Sequence, residues 1–253
     1  LVSMCDHYLG QILDTMDRND LWKDTMLIVN TDHGFLLGEH EWWGKNCMPI
    51  YNELANLPFF IWDPRSGKRG EEREALAQTI DIAPTLLDFF NLPANDHMDG
   101  KSLSETIYRD KPVREAALFG NHGGHINITD GSYVYMRAGE STDCLYQYTL
   151  AATHLRQFFL PEELSNIELS NGFSFTDNKP VMKIKRADDL TFSFAADTSY
   201  FGHRLYDLKN DPEQKNPIDD SSIEAEMIKK MAVLMEENEA PKEQYQRMGI
   251  PLD

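Results

Sequence analysis

The sequence predicts an α/β chain in two parts. A partial doubly wound sheet covers residues 1–112, and a small antiparallel sheet with a carboxyl-terminal helix covers 113–253. Three features carry that reading. In the first part amphipathic helical stretches alternate with short apolar runs, the order of a layered α/β domain. In the second, two strand-like runs flank Asp130-Gly131, a pair suited to a tight hairpin turn. Apolar residues then return to a helical period from 223 to 235.

The chain opens on a helix, because Val2, Cys5, Tyr8 or Leu9, Ile12 and Met16 recur at helical spacing with Asp6, Asp14 and Asp17 between them. Asn19-Asp20 ends it. Met26-Leu27-Ile28-Val29 reads as a buried strand, and Pro49 suits the first turn of a helix reaching Ala55. Leu57-Pro58-Phe59-Phe60-Ile61-Trp62 reads as a second buried strand, followed by a charged, turn-rich loop over 63–70. Asp81-Ile82-Ala83-Pro84-Thr85 opens another helix, with Asp81 as its cap. In the second part, Ile126-Asn127-Ile128-Thr129 and Ser132-Tyr133-Val134-Tyr135-Met136 form the hairpin. His203-Arg204-Leu205-Tyr206-Asp207-Leu208 is a strand stopped by Asn210-Asp211-Pro212, and an insertion of mixed Phe-rich and polar character runs from about 138 to 199.

A chain of 253 residues can bury a substantial core, and 41% apolar with 26% charged residues is ordinary for a globular protein. The net charge of −18 argues against nonspecific binding to nucleic acid or an anionic membrane, which needs a basic surface. No apolar run is long enough to span a bilayer. Cys5, Cys47 and Cys144 imply no disulfide framework and contain no Cys-x-x-Cys metal pair. The first residue is leucine, with no signal segment behind it, so the start reads as a cut or processed end and leaves localisation unknown.

Chemistry concentrates in Thr31-Asp32-His33-Gly34, followed by Gly38-Glu39-His40 and Gly44-Lys45. A carboxylate and an imidazole at a strand's carboxyl end lie where open α/β sheets place ligands. Together they can hold a divalent cation, and Lys45 can add positive charge beside it. That set suits chemistry on an anionic ester. Each residue also has a plainer reading: Asp32 can cap a turn, His33 can be a satisfied polar residue, and Lys45 a solvated surface lysine. His40 either faces a substrate or bonds a loop carbonyl. His122 and His125, in Gly120-Asn121-His122-Gly123-Gly124-His125, lie on a glycine-rich loop that can approach a ligand closely or serve structure alone.

Read in order with Asp81-Ile82-Ala83-Pro84-Thr85, Asp99-Gly100-Lys101-Ser102-Leu103 and Leu205-Tyr206-Asp207-Leu208-Lys209-Asn210-Asp211-Pro212-Glu213, the chain resembles the carboxyl-terminal portion of sulfatases of the alkaline-phosphatase superfamily. The resemblance implies that Asp32 and His33 are the second pair of metal ligands. Many members have asparagine in place of His33, and the histidine form resembles the branch with choline sulfatases and phosphonate monoester hydrolases. It implies that Lys45 contacts the sulfate near its bridging oxygen, and the first Asp-Asp ligand pair has no match. Nor has the Cys-x-Pro-x-Arg or Ser-x-Pro-x-Arg motif whose first residue becomes formylglycine: Cys47-Met48-Pro49-Ile50-Tyr51 carries tyrosine where arginine belongs, and Cys47 reads as an ordinary buried cysteine.

The implied reaction is hydrolysis of a sulfate ester on a sulfated small molecule or glycan. Calcium is the family's usual cation, although an imidazole ligand favours manganese or zinc. Formylglycine, expected in a missing amino-terminal segment, would attack sulfur. Lys45 would stabilise the leaving oxygen, with His40 as candidate general acid and His122 and His125 as candidate substrate contacts. Phe158, Phe159, Phe173 and Phe175 beside Lys183, Lys185 and Arg186 either form a core or help choose the substrate at the mouth of the site. Two rivals stand beside this reading: phosphonate or phosphate diester hydrolysis on the same scaffold, and a non-catalytic fragment that binds an anion or a partner. The chain alone is expected to be inactive, with its incomplete sheet covered by an oligomer or by a companion segment.

Overall fold

A computed structural model describes residues 1–45, 47–141, 144–154, 158–186 and 198–251. Helix α1 spans Val2–Arg18, followed by strands β1 (Leu27–Asn30), β2 (Leu36–Leu37) and β3 (Trp43–Gly44), the short helix α2 (Asn52–Ala55) and strand β4 (Phe59–Trp62). Helices α3 (Ile82–Phe89) and α4 (Ser104–Arg109) lead to strands β5 (Ala117–Gly120), β6 (Ile126–Thr129), β7 (Tyr133–Arg137) and β8 (Tyr146–Thr149). Then come α5 (Pro161–Ser165), β9 (Glu168–Ser170), β10 (Val181–Lys185), α6 (Thr198–Phe201), β11 (Arg204–Asp207), α7 (Ser221–Glu237) and α8 (Lys242–Met248). The chain divides into two compact units. The first comprises Leu1–Asp32, Leu57–Ala94 and Gly100–Val113, the second His33–Asn56, Asn95–Asp99 and Arg114–Asp253.

In the first unit β1 and β4 pair antiparallel, with Leu27 opposite Trp62 and Asn30 opposite Phe59. Both strands were expected to be buried; instead their residues are half-exposed and Phe60 points to solvent. A strand is buried on both faces only when layers cover both, and this sheet has two strands among the described residues. Helix α1 shows the same lack of cover: of its apolar stripe only Met16 is fully buried, whereas Val2, Tyr8 and Ile12 are exposed. Trp22 meets Trp62 edge to face at 5.8 Å, and the Trp62 indole N–H donates to the Trp22 carbonyl.

Asp81 stands at the start of α3, but its carboxylate does not cap that helix. It accepts instead from the backbone N–H groups of Gln78 (2.8 Å) and Lys101 (2.9 Å). Thr85 completes the clasp, donating to the Asp81 carbonyl and accepting from Leu103 N–H. A Cβ at Gly100 would lie 2.0 Å from the Ile80 carbonyl oxygen, so only glycine fits there. The two sequence motifs around Asp81 and Gly100 are therefore the two halves of one buried polar joint.

The second unit is built on an antiparallel sheet in the order β11-β7-β6-β5. Its hairpin turns where Asp130 Oδ1 accepts from the N–H groups of Ser132 and Tyr133. Strand β5, four residues ending in glycine, was not anticipated; a run that short carries no clear period. Alternation along the strands separates the sheet's two faces. One packs Ile128, Tyr135 and Leu205 against Met227, Met231 and Met235 of α7 and Met248 of α8. The other packs Val134, Met136 and Tyr206 against Leu36, Met48, Tyr51 and Leu54. The segment carrying the candidate site is thus laid on one face of this sheet.

Within the insertion β8, β10 and β9 form a three-stranded sheet, and its residues 142–143, 155–157 and 187–197 lie outside the described residues. Phe159 is buried, Phe158 is exposed, and Phe173 stacks on Phe175. Lys183 is paired with Glu243 of α8 and lies over the Tyr146 ring. No described helix is long and apolar enough to cross a membrane. Met231, fully buried at the centre of α7, sets the first test. Met231→Ala should cost about 2–5 kcal/mol, read as a lower urea midpoint at unchanged slope; a midpoint equal to wild type would remove α7 from the core.

Candidate active site

Beyond β1 the chain turns through Asp32, the last residue of its segment in the first unit, and His33, the first residue of the next segment in the second. Asp32 is exposed, and its Oδ1 accepts from the Thr31 hydroxyl at 3.4 Å. His33 has better-defined partners. Its Nδ1 lies 2.9 Å from the Gly34 carbonyl oxygen, and its Nε2 lies 2.5 Å from Lys45 Nζ. A carbonyl only accepts and an ammonium only donates. These contacts therefore pair Nδ1–H with the Gly34 carbonyl and set Nε2 to accept from Lys45. A backbone carbonyl on one ring nitrogen is a common means of fixing an imidazole's orientation.

Gly34 fixes the height of this turn. Its N–H donates to the Leu54 carbonyl at 3.1 Å, and a Cβ there would stand 1.7 Å from the Glu53 carbonyl oxygen. The turn thus rests directly on α2. The same four-residue helix supports His40, whose Nε2 is 3.3 Å from the Glu53 carboxylate and whose ring stacks on Tyr51 at 3.6 Å and 6°. His40 and Glu41 adopt left-handed backbone conformations, φ 54° and 64°. Each costs of order 1–3 kcal/mol in a non-glycine residue and persists only where its surroundings enforce it.

Tyr51 is held in turn by Arg204, whose Nη1 donates to the Tyr51 hydroxyl at 3.2 Å and the Tyr206 hydroxyl at 3.3 Å. Burial, with Tyr206 beside it, pushes the Tyr51 phenol up to about 12, so it stays protonated at neutral pH. On the far side of α2, the Asn52 N–H donates to Gln214 Oε1 at 2.6 Å and the Asn52 amide to the Pro212 carbonyl at 3.3 Å. Gln214 is buried, has φ 51°, and its Nε2 has no hydrogen-bond partner. An unsatisfied buried amide costs about 1–3 kcal/mol.

His122 donates from Nε2 to the Tyr146 carbonyl and His125 from Nε2 to the Gly202 carbonyl, both at 3.0 Å. Each ring ties the glycine-rich loop to a neighbouring segment. Burial lowers both imidazoles below their ordinary value, the backbone bonds opposing it. Arg247 grips the same loop, donating to the Gly123 carbonyl at 2.6 Å and the Gly124 carbonyl at 2.7 Å. Cys47 was expected to be buried; it is exposed, and the buried residues of this segment are Met48, Tyr51 and Leu54.

His33 and Lys45 are thus joined directly, and His40 shares their support. The sequence reading missed Gln214, Glu53, Tyr51, Arg204 and Arg247. Only Gln214 had a signal, adjoining the Asn210-Asp211-Pro212-Glu213 run. Among the described residues no three His, Cys, Asp or Glu side chains stand close enough together to hold a metal ion. Asp32 and His33 suit a cation chemically, but two donors leave its shell incomplete.

Comparison with known proteins finds similarity to sulfatases. Residues 1–92 match the family model described as Sulfatase. Over 124 residues the chain is 32% identical to an arylsulfatase of Clostridium perfringens, covering 48% of this chain and 25% of that protein. Over 102 residues it is 31% identical to an N-acetylglucosamine-6-O-sulfatase of Bacteroides thetaiotaomicron, covering 40% and 18%. A solved Bacteroides thetaiotaomicron structure, from work on the metabolism of multiple glycosaminoglycans, aligns with a TM-score of 0.64 at 17% identity. It covers 99% of this chain and 45% of that one, which shows a shared fold. The chain spans about a quarter or less of the length of these curated relatives.

Two outcomes follow from this geometry. Gly34→Ala should displace the turn and break the His33–Lys45 contact while leaving the sheet core folded; a crystal structure with that contact intact would contradict the close packing on α2. The lowered imidazoles set a pH dependence. Because the folded state disfavours protonating His122 and His125, the unfolded chain takes up protons that the folded one does not. Stability should hold above their ordinary value of 6.5 and fall as the pH drops below it. The urea midpoint should decrease between pH 7.5 and 5.5, and less steeply in His125→Gln; equal slopes would refute the assignment.

Proposed function

We propose that this chain, whose residues 1–92 belong to the sulfatase family, carries the metal-ligand and leaving-group end of a sulfuric ester hydrolase. The observation that carries the proposal is the Lys45–His33 contact. It brings the Lys45 ammonium onto the imidazole of His33, whose other ring nitrogen is held by the Gly34 carbonyl. Asp32 and His33 are the residues that would hold a divalent cation, with calcium the expected ion and manganese or zinc the alternatives. Such an ion would supply charge neutralisation on the sulfate oxygens.

The chain's own residues have definable tasks. Lys45 presents an ammonium to the oxygen on which negative charge develops as the ester bond breaks. His33 holds Lys45 in place and is itself held by Gly34. His40, paired with Glu53 and stacked on Tyr51, is proposed as the proton donor to the departing alcohol. A nucleophile and the remaining cation ligands are expected from a formylglycine-bearing segment that this chain does not contain, so the chain alone is proposed to be inactive. The names of the relatives favour a sulfated aryl compound or an amino-sugar sulfate as substrate.

The experiment is a steady-state assay of the complete protein on an aryl sulfate, a 6-O-sulfated amino sugar and a phosphonate monoester, with metal content measured in parallel. Sulfate-ester turnover that falls roughly two to three orders of magnitude in Lys45→Ala is the expected result, the scale of losing one preorganised stabilising donor. Wild-type turnover in Lys45→Ala would return Lys45 to the protein surface. Preferential cleavage of the phosphonate would transfer the site to the rival reaction, and robust turnover by the 253-residue chain alone would refute the incomplete-site reading.

A further inference from the structure

We propose that Gln214, in the loop after β11, is a positioning residue for the Lys45–His33 pair, acting through α2. The inference rests on the functional reading above, and it explains a feature that reading leaves unused. Gln214 is fully buried, its backbone is left-handed at φ 51°, and its Nε2 lacks a hydrogen-bond partner. A glutamine kept under those penalties is over-determined by its surroundings, and such outliers gather at functional sites. What it gains is one short bond, from the Asn52 N–H to Oε1 at 2.6 Å.

That bond begins a continuous path. Asn52 is the first residue of α2, so its N–H is one of the donors a helix start leaves unpaired. No side chain of α2's own N-cap satisfies it, because the N-cap is Tyr51. Gln214 supplies the acceptor from 162 residues away, and the Pro212 carbonyl takes the Asn52 side-chain amide beside it. From α2 the Leu54 carbonyl holds the Gly34 N–H, the Gly34 carbonyl holds His33 Nδ1, and His33 Nε2 holds Lys45. Each link has one donor and one acceptor, and the Gly34 step has no slack because its Cα already abuts the Glu53 carbonyl. Moving α2 therefore moves the His33 ring and releases the lysine. The whole path lies within one compact unit.

The test reads His33 directly, independent of any activity. In the full 253-residue chain, ring ¹⁵N shifts at fixed pH 7.5 report which nitrogen carries the proton. Gln214→Leu and Asn52→Pro both delete the bond, the second by removing the donor at a helix position that tolerates proline, together with the side-chain amide that Asn52→Ala removes alone. Both should convert the single Nδ1-H tautomer of His33 into a mixture of tautomers. Gln214→Glu, which keeps an acceptor, and Asn52→Ala, which keeps the N–H, should retain it. A folded Gln214→Leu chain with the wild-type His33 signal would overturn the proposal; if that variant does not fold, Asn52→Pro decides by the same criterion. In the complete enzyme the two bond-deleting variants should lower kcat about tenfold or more with KM within about twofold, since the path ends on a group acting at the leaving oxygen. Altered ring shifts with unchanged kcat would leave the positioning intact and count against the sulfatase reading instead.

Discussion

The His33–Lys45 arrangement depends on how closely the His33-Gly34 turn is seated on α2. Gly34 has no room for a side chain, because the Glu53 carbonyl oxygen occupies the place a Cβ would take. The consequence is geometric rather than energetic. With the turn's height fixed, the Gly34 carbonyl can receive His33 Nδ1–H, and that single bond decides which ring nitrogen is left with a lone pair. A ring bonded the other way would turn its N–H toward Lys45, and the two would repel. One missing methyl group thus selects a tautomer, and the tautomer selects the partner.

The second unit explains why so short a helix can serve as a foundation. Four residues cannot hold a helix by propensity. Helix α2 is held from outside, by Gln214 and Pro212 at its start, by Leu54 buried against the β11-β7-β6-β5 sheet, and by Tyr51 under Arg204. His40 joins the same support through Glu53 and the Tyr51 ring. A site assembled this way takes its precision from a sheet whose strands follow it by many residues in sequence.

Much of the element order was legible because it rests on local signals. The Asp130-Gly131 turn, the helical spacing from 223 to 235 and the stop at Asn19-Asp20 each follow from short-range stereochemistry, and helix α7, the hairpin β6-β7 and the end of α1 lie where those signals put them. The pairing of Asp32-His33 with Lys45 as a region of interest was legible from residue types and order. The supports were not, because they are long-range. Nothing in Arg204 or Tyr51 announces a partner some 150 residues away, and Gln214 adjoins a sequence motif without revealing that its side chain is buried on α2. Asp81 shows the complementary error: its position before a helix suggested a cap, but two backbone donors outside that helix took its carboxylate. The exposure of Phe60 and of the α1 stripe likewise depends on which layers cover them, which periodicity does not encode.

The proposed function treats His33 and Lys45 as one unit acting on a sulfate ester. A double-mutant cycle in the complete protein tests it most directly, with kcat/KM for an aryl sulfate measured for wild type, His33→Ala, Lys45→Ala and the double variant. A coupled pair predicts that the second substitution adds little once the first is made, so the double variant should resemble the worse single one. Losses that simply multiply would show two independent residues and contradict the account.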